Sequence, residues 1–220
     1  MPPVAAIILD MDGTMLDTEP LYKAAWQRAA ADLGCALDDA FYLRLVGRSI
    51  ADGEDALTRR FGTSLPLAEF RLRWAALWRT RVEADGIPTK AGLLELLAWV
   101  DDHRMPIAVA TSSDRDYATL SLQRAGLAGR FATVVTGEEV ANGKPAPDIY
   151  LEAARRLGVD PAHAIAVEDS DAGTLAAYRA GMSVLLIPDL KAPSAEATAA
   201  ARRVLGSLFE ARAYIATLQA

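Results

Sequence analysis

The chain has 220 residues, of which 52% are hydrophobic and 24% charged, and its formal net charge is −6. This composition is typical of a folded globular protein, and an acidic chain without a long basic run argues against nucleic acid or a membrane surface as a partner. The N-terminal apolar run is too short for a signal or membrane helix and the single cysteine permits no intrachain disulfide, so we expect a cytoplasmic protein.

Short apolar runs of the kind expected for buried strands recur along the chain. They occupy 4–9, 106–110, 132–135, 164–167 and 184–187. Helical patterns, with apolar residues three and four apart, lie at 91–103, 114–126, 147–158 and 171–181. The alternation of strands and helices predicts an α/β fold with a doubly wound parallel sheet.

One connection is far longer than a single crossover requires. Between Gly13 and the helix predicted at 91–103 lie more than seventy residues, and they contain helical patterns but no convincing strand. A largely apolar stripe at helical spacing predicts the core of a small helical bundle, and its residues are Leu67, Phe70, Trp74, Leu77 and Arg81. We therefore predict an α/β core formed by 1–14 and 89–220, with an inserted helical domain at 15–88.

Polar side chains follow the predicted strands, where parallel sheets bind their ligands. Any one of them has an ordinary alternative, such as a helix cap or a solvated charge, but their convergence on one edge favours a functional site. The residues are Asp10 and Asp12 after the first strand, Thr111 and Ser112 after the second, Lys144 beyond the third, and Glu168 and Asp169 after the fourth.

Four carboxylates on one edge require a compensating positive charge. Two like charges about 4 Å apart repel by roughly 4 kcal/mol at an effective dielectric constant near 20. Lys144 supplies one positive charge. Oxygen ligands without a supporting histidine or cysteine cluster favour Mg²⁺, which binds a few carboxylates together with water and substrate phosphate.

The polar motifs, taken in order, resemble those of one superfamily. They are Asp10-x-Asp12-Gly13-Thr14, Thr111-Ser112-Ser113, Gly143-Lys144-Pro145-x-Pro147 and Glu168-Asp169-Ser170-x-x-Gly173. With a helical insertion after the first motif, the sequence resembles the haloacid dehalogenase superfamily, in particular its branch of β-phosphoglucomutases and phosphoglycolate-type phosphatases. The resemblance spans essentially the whole chain. It implies a Rossmann-like core, a helical cap, and a Mg²⁺-dependent phosphatase that acts on a small phosphorylated metabolite.

The resemblance also implies roles for individual residues. Asp10 would be the nucleophile that forms an aspartyl phosphate, and Asp12 the general acid and base. Positions i and i+2 of an extended chain project to the same side, so one carboxylate can attack while the other protonates the leaving oxygen. Thr111 would hydrogen-bond the transferring phosphoryl group, Ser112 would bind the substrate, and Lys144 would hold Asp10 and the phosphoryl oxygens.

The metal ligands implied by the resemblance are carboxylate and carbonyl oxygens. Asp10, Asp169 and the backbone carbonyl of Asp12 would bind Mg²⁺. Glu168 would either bind the ion directly or support a residue that does.

Three other classes share part of this pattern. A haloacid dehalogenase would use Asp10 but needs no metal and usually lacks a carboxylate at the position of Asp12. A phospho-accepting receiver domain has its acidic pair after the first strand and its acceptor aspartate after the third, the reverse of the order here. A P-loop is excluded because Pro145 stands where the motif requires serine or threonine.

The closest alternative is a phosphomutase. The mutases of this branch carry a histidine where this chain has Tyr22, and an arginine after Gly-x-Ser where it has Ile50, so we favour a phosphatase. Arg48 in the helical insertion could contact a substrate anion or be solvated. The sequence specifies neither the substrate nor whether the protein is a monomer or a homodimer.

Overall fold

A parallel β-sheet forms the centre of the larger part of the molecule. A computed structural model of the chain describes residues 4–46 and 50–219. The strands of the described residues follow the order β3-β2-β1-β4-β5-β6, with every neighbouring pair parallel. They are β1 (Ala6–Leu9), β2 (Ile107–Ala110), β3 (Thr133–Val135), β4 (Ala164–Glu168), β5 (Ser183–Leu186) and β6 (Arg203–Val204).

The central strands are apolar because helices cover both faces of the sheet. All residues of β1 and β4 are buried, which a strand in the middle of a doubly wound sheet requires. The chain extends the sheet from β1 through β2 to β3 and then returns to the other side of β1 with β4. The predicted α/β class and all five predicted strands are confirmed. The two-residue edge strand β6 has no apolar run and was not predicted from the sequence.

The chain divides into two compact units. One comprises Met1–Asp17 together with Pro88–Ala220, and the other comprises Thr18–Ile87. Among the described residues of both units, no helix is long and apolar enough to span a lipid bilayer.

The smaller unit is helical. Its helices are α1 (Glu19–Asp32), α2 (Asp39–Leu43), α3 (Ile50–Phe61) and α4 (Leu67–Asp85). Trp26 of α1 packs edge-on against Phe70 of α4, with ring centroids 5.3 Å apart. Phe70 is fully buried, and Trp74 and Leu77 pack against the same cluster. The prediction that the stripe on this helix forms the core of a bundle is confirmed. The short helix α2, which Asp38 caps by accepting a hydrogen bond from Phe41 N at 2.7 Å, was not predicted.

Helices of the larger unit cover the sheet. They are α5 (Leu93–Asp102), α6 (Arg115–Arg124), α7 (Asp148–Leu157), α8 (Asp171–Arg179), α9 (Ala195–Ala200) and α10 (Leu208–Thr217). Alanines and Ile8 on one face of the sheet pack against Ile149, Tyr150 and Ala153 of α7 and against Ala177 of α8. This packing fixes the beginnings of α7 and α8 near the carboxyl ends of the central strands. The helices at 91–103, 114–126, 147–158 and 171–181 are confirmed within a few residues at each end, whereas α10 was not predicted.

Candidate active site

The predicted polar residues meet at the carboxyl end of the sheet, beside the point where the strand order reverses. Asp10 follows β1, Thr111 follows β2, and Glu168 is the last residue of β4. Since β1 is paired with both β2 and β4, these three side chains belong to neighbouring strands. The topology therefore places them at the crevice where open α/β sheets bind ligands.

A buried lysine joins two of the carboxylates. Lys144 Nζ donates to Asp10 Oδ1 at 2.5 Å, to Glu168 Oε1 at 2.6 Å and to the carbonyl of Ala110 at 3.1 Å. These contacts use all three of its protons. The exposed fractions of the lysine, aspartate and glutamate side chains are 6%, 10% and 0%. The lysine therefore fixes the orientation of the Asp10 carboxylate in a largely water-excluded site.

Burial and charge perturb both members of this ion pair. Burial raises the pKa of Asp10 to about 7, with Lys144 opposing the rise and Glu168 adding to it. Burial disfavours the charged form of Lys144, but the two carboxylates nevertheless raise its pKa above the ordinary value. The lysine is therefore a permanent positive charge, and it leaves part of the local negative charge uncompensated.

Glu168 is held at both of its oxygens. Oε1 also accepts from the hydroxyl of Tyr150 at 2.7 Å, and Oε2 accepts from Asp169 N at 3.1 Å, Ser170 N at 3.2 Å and Ser170 Oγ at 3.0 Å. A Cβ atom at Gly173, in the first turn of α8, would overlap the Glu168 carboxylate. The glycine of this motif therefore makes room for the glutamate.

Asp169 completes an acidic cluster with Asp10 and Glu168. One carboxylate oxygen from each of the three lies within 4.8 Å of the others. Thr14 Oγ1 donates to Asp169 Oδ1 at 3.1 Å. Burial, with Asp10 and Glu168 alongside, raises the pKa of Asp169 well above its ordinary value. Gly13 has φ = 84°, and a side chain there would overlap Asp169. Three crowded carboxylates with one lysine are compatible with a divalent cation.

Asp12 has different hydrogen-bond partners from the three carboxylates of that cluster. Ser113 Oγ donates to its Oδ2 at 3.0 Å, and the hydroxyl of Tyr117 in α6 donates to its Oδ1 at 2.8 Å. Asp10 and Asp12 are thus held by different partners, the first by an ammonium group and the second by hydroxyl groups. Such separate environments suit two carboxylates with different chemical roles.

The other predicted residues differ in what surrounds them. Thr111 is buried, and its Oγ1 accepts from Ser113 N at 3.1 Å, which leaves the hydroxyl proton available to donate. Ser112 is exposed. Arg48 lies outside the described residues. Tyr22 in the helical unit stacks on Trp78, with centroids 5.7 Å apart.

Two tyrosines at the site were missed by sequence reasoning. Tyr150 and Tyr117 lie on helices, and only the packing of those helices brings their hydroxyls to Glu168 and Asp12. Ser113 and Thr14 were part of the quoted motifs, although their contacts with carboxylates were not predicted.

Comparison with known proteins shows which family the chain resembles in sequence and in fold. Residues 7–187 match the family model described as haloacid dehalogenase-like hydrolase. The phosphorylated carbohydrates phosphatase of Thermotoga maritima is 35% identical over 177 residues, which are 80% of this chain and 82% of that protein. The fructose-1-phosphate phosphatase YqaB of Escherichia coli is 33% identical over 187 residues, 82% of this chain and 95% of that protein. The crystal structure of CbbY from Rhodobacter sphaeroides in complex with phosphate superposes with a TM-score of 0.78 at 30% identity, covering 94% of this chain and 96% of that one.

Proposed function

The chain belongs to the haloacid dehalogenase-like hydrolases and is a phosphoric monoester hydrolase, and from that premise we propose a Mg²⁺-dependent reaction through an aspartyl phosphate on Asp10. Its substrate is a small phosphomonoester of the sugar phosphate or phosphoglycolate type. The observation that carries the proposal is the Lys144–Asp10 contact, a buried carboxylate held at one oxygen by a buried ammonium group.

The reaction divides into two displacements. In the first, Asp10 forms a bond to phosphorus, the bond to the leaving oxygen breaks, and Asp12 gives that oxygen a proton. In the second, Asp12 removes a proton from water, the water oxygen bonds to phosphorus, and the bond to Asp10 breaks. In this proposal the positive charge of Lys144 and the hydroxyl group of Thr111 stabilise the negative charge of the transferring phosphoryl group.

The residues present fit a magnesium ion. Asp10, Asp169 and the backbone carbonyl of Asp12 would hold it, and Glu168 either joins them or orients Asp169 and Lys144. When bound, the ion supplies positive charge that orients the phosphoryl group and offsets the crowding of the carboxylates. The observation that supports a cation there is the crowding of three carboxylates, since one oxygen from each of Asp10, Glu168 and Asp169 lies within 4.8 Å of the others.

The proposed substrate class draws on the relatives. The similar proteins from Thermotoga maritima and Escherichia coli are named for phosphorylated carbohydrates and for fructose 1-phosphate. We propose that the helical domain at 15–88 acts as a cap that selects among such substrates, with Arg48 as a candidate contact for the anion.

Release of inorganic phosphate from a panel of sugar phosphates, phosphoglycolate and nucleotides tests this proposal. We expect turnover of at least one sugar phosphate or phosphoglycolate with Mg²⁺ and none after chelation. Full activity in excess chelator would favour the metal-free dehalogenase chemistry instead. The Asp10→Asn variant is the control for contaminating phosphatases.

A phosphomutase is the second candidate, favoured by the resemblance to β-phosphoglucomutases. A mutase must keep water away from its phosphorylated intermediate, and the residues with which mutases of this branch do so are replaced at Tyr22 and Ile50. Incubation with β-glucose 1-phosphate, Mg²⁺ and a bisphosphate primer, followed by NMR, separates the two. We expect free phosphate; predominant glucose 6-phosphate would overturn the phosphatase assignment.

A further inference from the structure

The carboxylate of Asp12 is held at both oxygens by hydroxyl groups from one short segment. Ser113 donates to Oδ2 at 3.0 Å and Tyr117 donates to Oδ1 at 2.8 Å. An aspartate side chain has only two rotatable torsions, and one contact at each oxygen restricts both of them. Asp12 is partly exposed, so packing alone does not confine it.

The segment that carries the two donors is itself fixed. Asp114, the N-cap of α6, accepts a hydrogen bond from Tyr117 N at 2.7 Å. The carbonyl of Ser113 accepts from Gly137 N at 3.0 Å, and Ser113 N donates to Thr111 Oγ1 at 3.1 Å. The hydroxyls of Ser113 and Tyr117 therefore belong to a rigid loop and helix start, and they can impose an orientation on a neighbour.

We propose that Tyr117, with Ser113, is a positioning residue that holds the Asp12 carboxyl group at the orientation in which, when protonated, it gives its proton to the leaving oxygen. The inference rests on the proposed function, in which Asp12 is the general acid. When the P–O bond breaks, its electron pair goes to the leaving oxygen, the Asp12 proton follows, and the resulting carboxylate accepts both hydroxyls. Correct orientation of the acid before the bond breaks accounts for much of the rate that such groups supply.

Substrates with different leaving groups separate this role from a structural one. The leaving alkoxide of fructose 1-phosphate needs a proton, whereas p-nitrophenolate is stable without one. The ratio kcat/KM reports the steps up to formation of the phosphoenzyme. We expect Tyr117→Phe to lower kcat/KM for fructose 1-phosphate by roughly tenfold or more and for p-nitrophenyl phosphate by less than about threefold.

Matched variants control for indirect effects. Tyr178→Phe removes a hydroxyl from a tyrosine of α8 that is 57% exposed and should leave both activities unchanged. Ser113→Ala removes the donor at the other oxygen and should reproduce the leaving-group dependence, which keeps the test valid if Tyr117→Phe folds poorly. In the Asp12→Ala background, adding Tyr117→Phe should not change the rate of the p-nitrophenol burst. The carboxyl group through which Tyr117 acts is absent from that variant.

The outcomes distinguish this inference from the function on which it rests. Equal losses on the two substrates, in Tyr117→Phe and in Ser113→Ala, would overturn the positioning role while leaving the phosphatase assignment intact. If fructose 1-phosphate is not hydrolysed, the sugar phosphate that the wild-type protein hydrolyses fastest replaces it. Absence of Mg²⁺-dependent hydrolysis of every ester tested would overturn the proposed function and the inference together.

Discussion

Replacing Gly173 with alanine sets two effects of opposite sign against each other. Alanine is favoured over glycine by about 1 kcal/mol in a helix interior, which is an upper limit for Gly173 in the first turn of α8. The new Cβ, however, would overlap the Glu168 carboxylate, which is fully buried and accepts five hydrogen bonds from Lys144, Tyr150, Asp169 and Ser170. A hydrogen bond to a charged group contributes about 1.5–3 kcal/mol, so losing two of them costs about 3–6 kcal/mol.

The second effect is larger, and we expect Gly173→Ala to lower the free energy of unfolding by about 2–5 kcal/mol. Circular dichroism during urea titration is the suitable assay because it reports helices in both units. Gly53→Ala is the matched control, since Gly53 also lies in a helix and its new Cβ would meet Trp26 at an ordinary 3.4 Å. The control should gain stability. A Gly173→Ala protein as stable as wild type would refute the view that Glu168 is rigidly held.

Three further predictions concern the carboxylates. Asp10→Asn should abolish turnover while leaving the fold intact by circular dichroism, because the amide keeps the shape of the side chain but lacks the nucleophilic oxygen and the negative charge; retained steady-state activity would contradict the mechanism. Asp169→Asn should raise the Mg²⁺ concentration needed for half-maximal activity, and an unchanged requirement would exclude Asp169 as a ligand. Burial raises the pKa of Asp10 to about 7 and that of Asp169 above its ordinary value. In the metal-free protein the contribution of Asp10 to stability is therefore lost as the pH rises from the unfolded-state value near 4 through about 7, and the contribution of Asp169 is also lost as the pH rises. The increase in melting temperature on adding Mg²⁺ should therefore be larger at about pH 8 than at about pH 5.5, and equal increases would show that these groups do not titrate with metal binding.

The sequence was most informative where burial dictates residue type. β1 and β4 are buried throughout, so their apolar runs and the polar residues that end them, Asp10 and Glu168, could be located without coordinates. The edge strand Arg203–Val204 has no such signal, because both of its residues are exposed and only backbone pairing with β5 defines it.

The partners of the site residues could not be predicted in the same way. The contact between Lys144 and Asp10 was expected. The second contact of Lys144, with Glu168, depends on how the loop before α7 packs against the sheet, which the sequence does not show. The hydroxyls of Tyr150 and Tyr117 come from helix faces, and helical periodicity gives no indication of which strand-end side chain they contact. The helix at 208–217 was also not predicted, but here the sequence does carry a signal. Its buried residues Leu208, Ala211 and Ile215 keep the helical spacing.

Direct detection of the phosphorylated aspartate tests the central claim. The Asp12→Asn variant is mixed with p-nitrophenyl phosphate and Mg²⁺, quenched in acid and digested for mass spectrometry. Because p-nitrophenolate leaves without a proton from Asp12, the variant should form the intermediate and then hydrolyse it slowly. We predict one added phosphoryl group, located on Asp10, that is absent when the metal is chelated. An unmodified Asp10 in a variant that still releases a stoichiometric burst of p-nitrophenolate, or a phosphoryl group on another residue, would contradict the account.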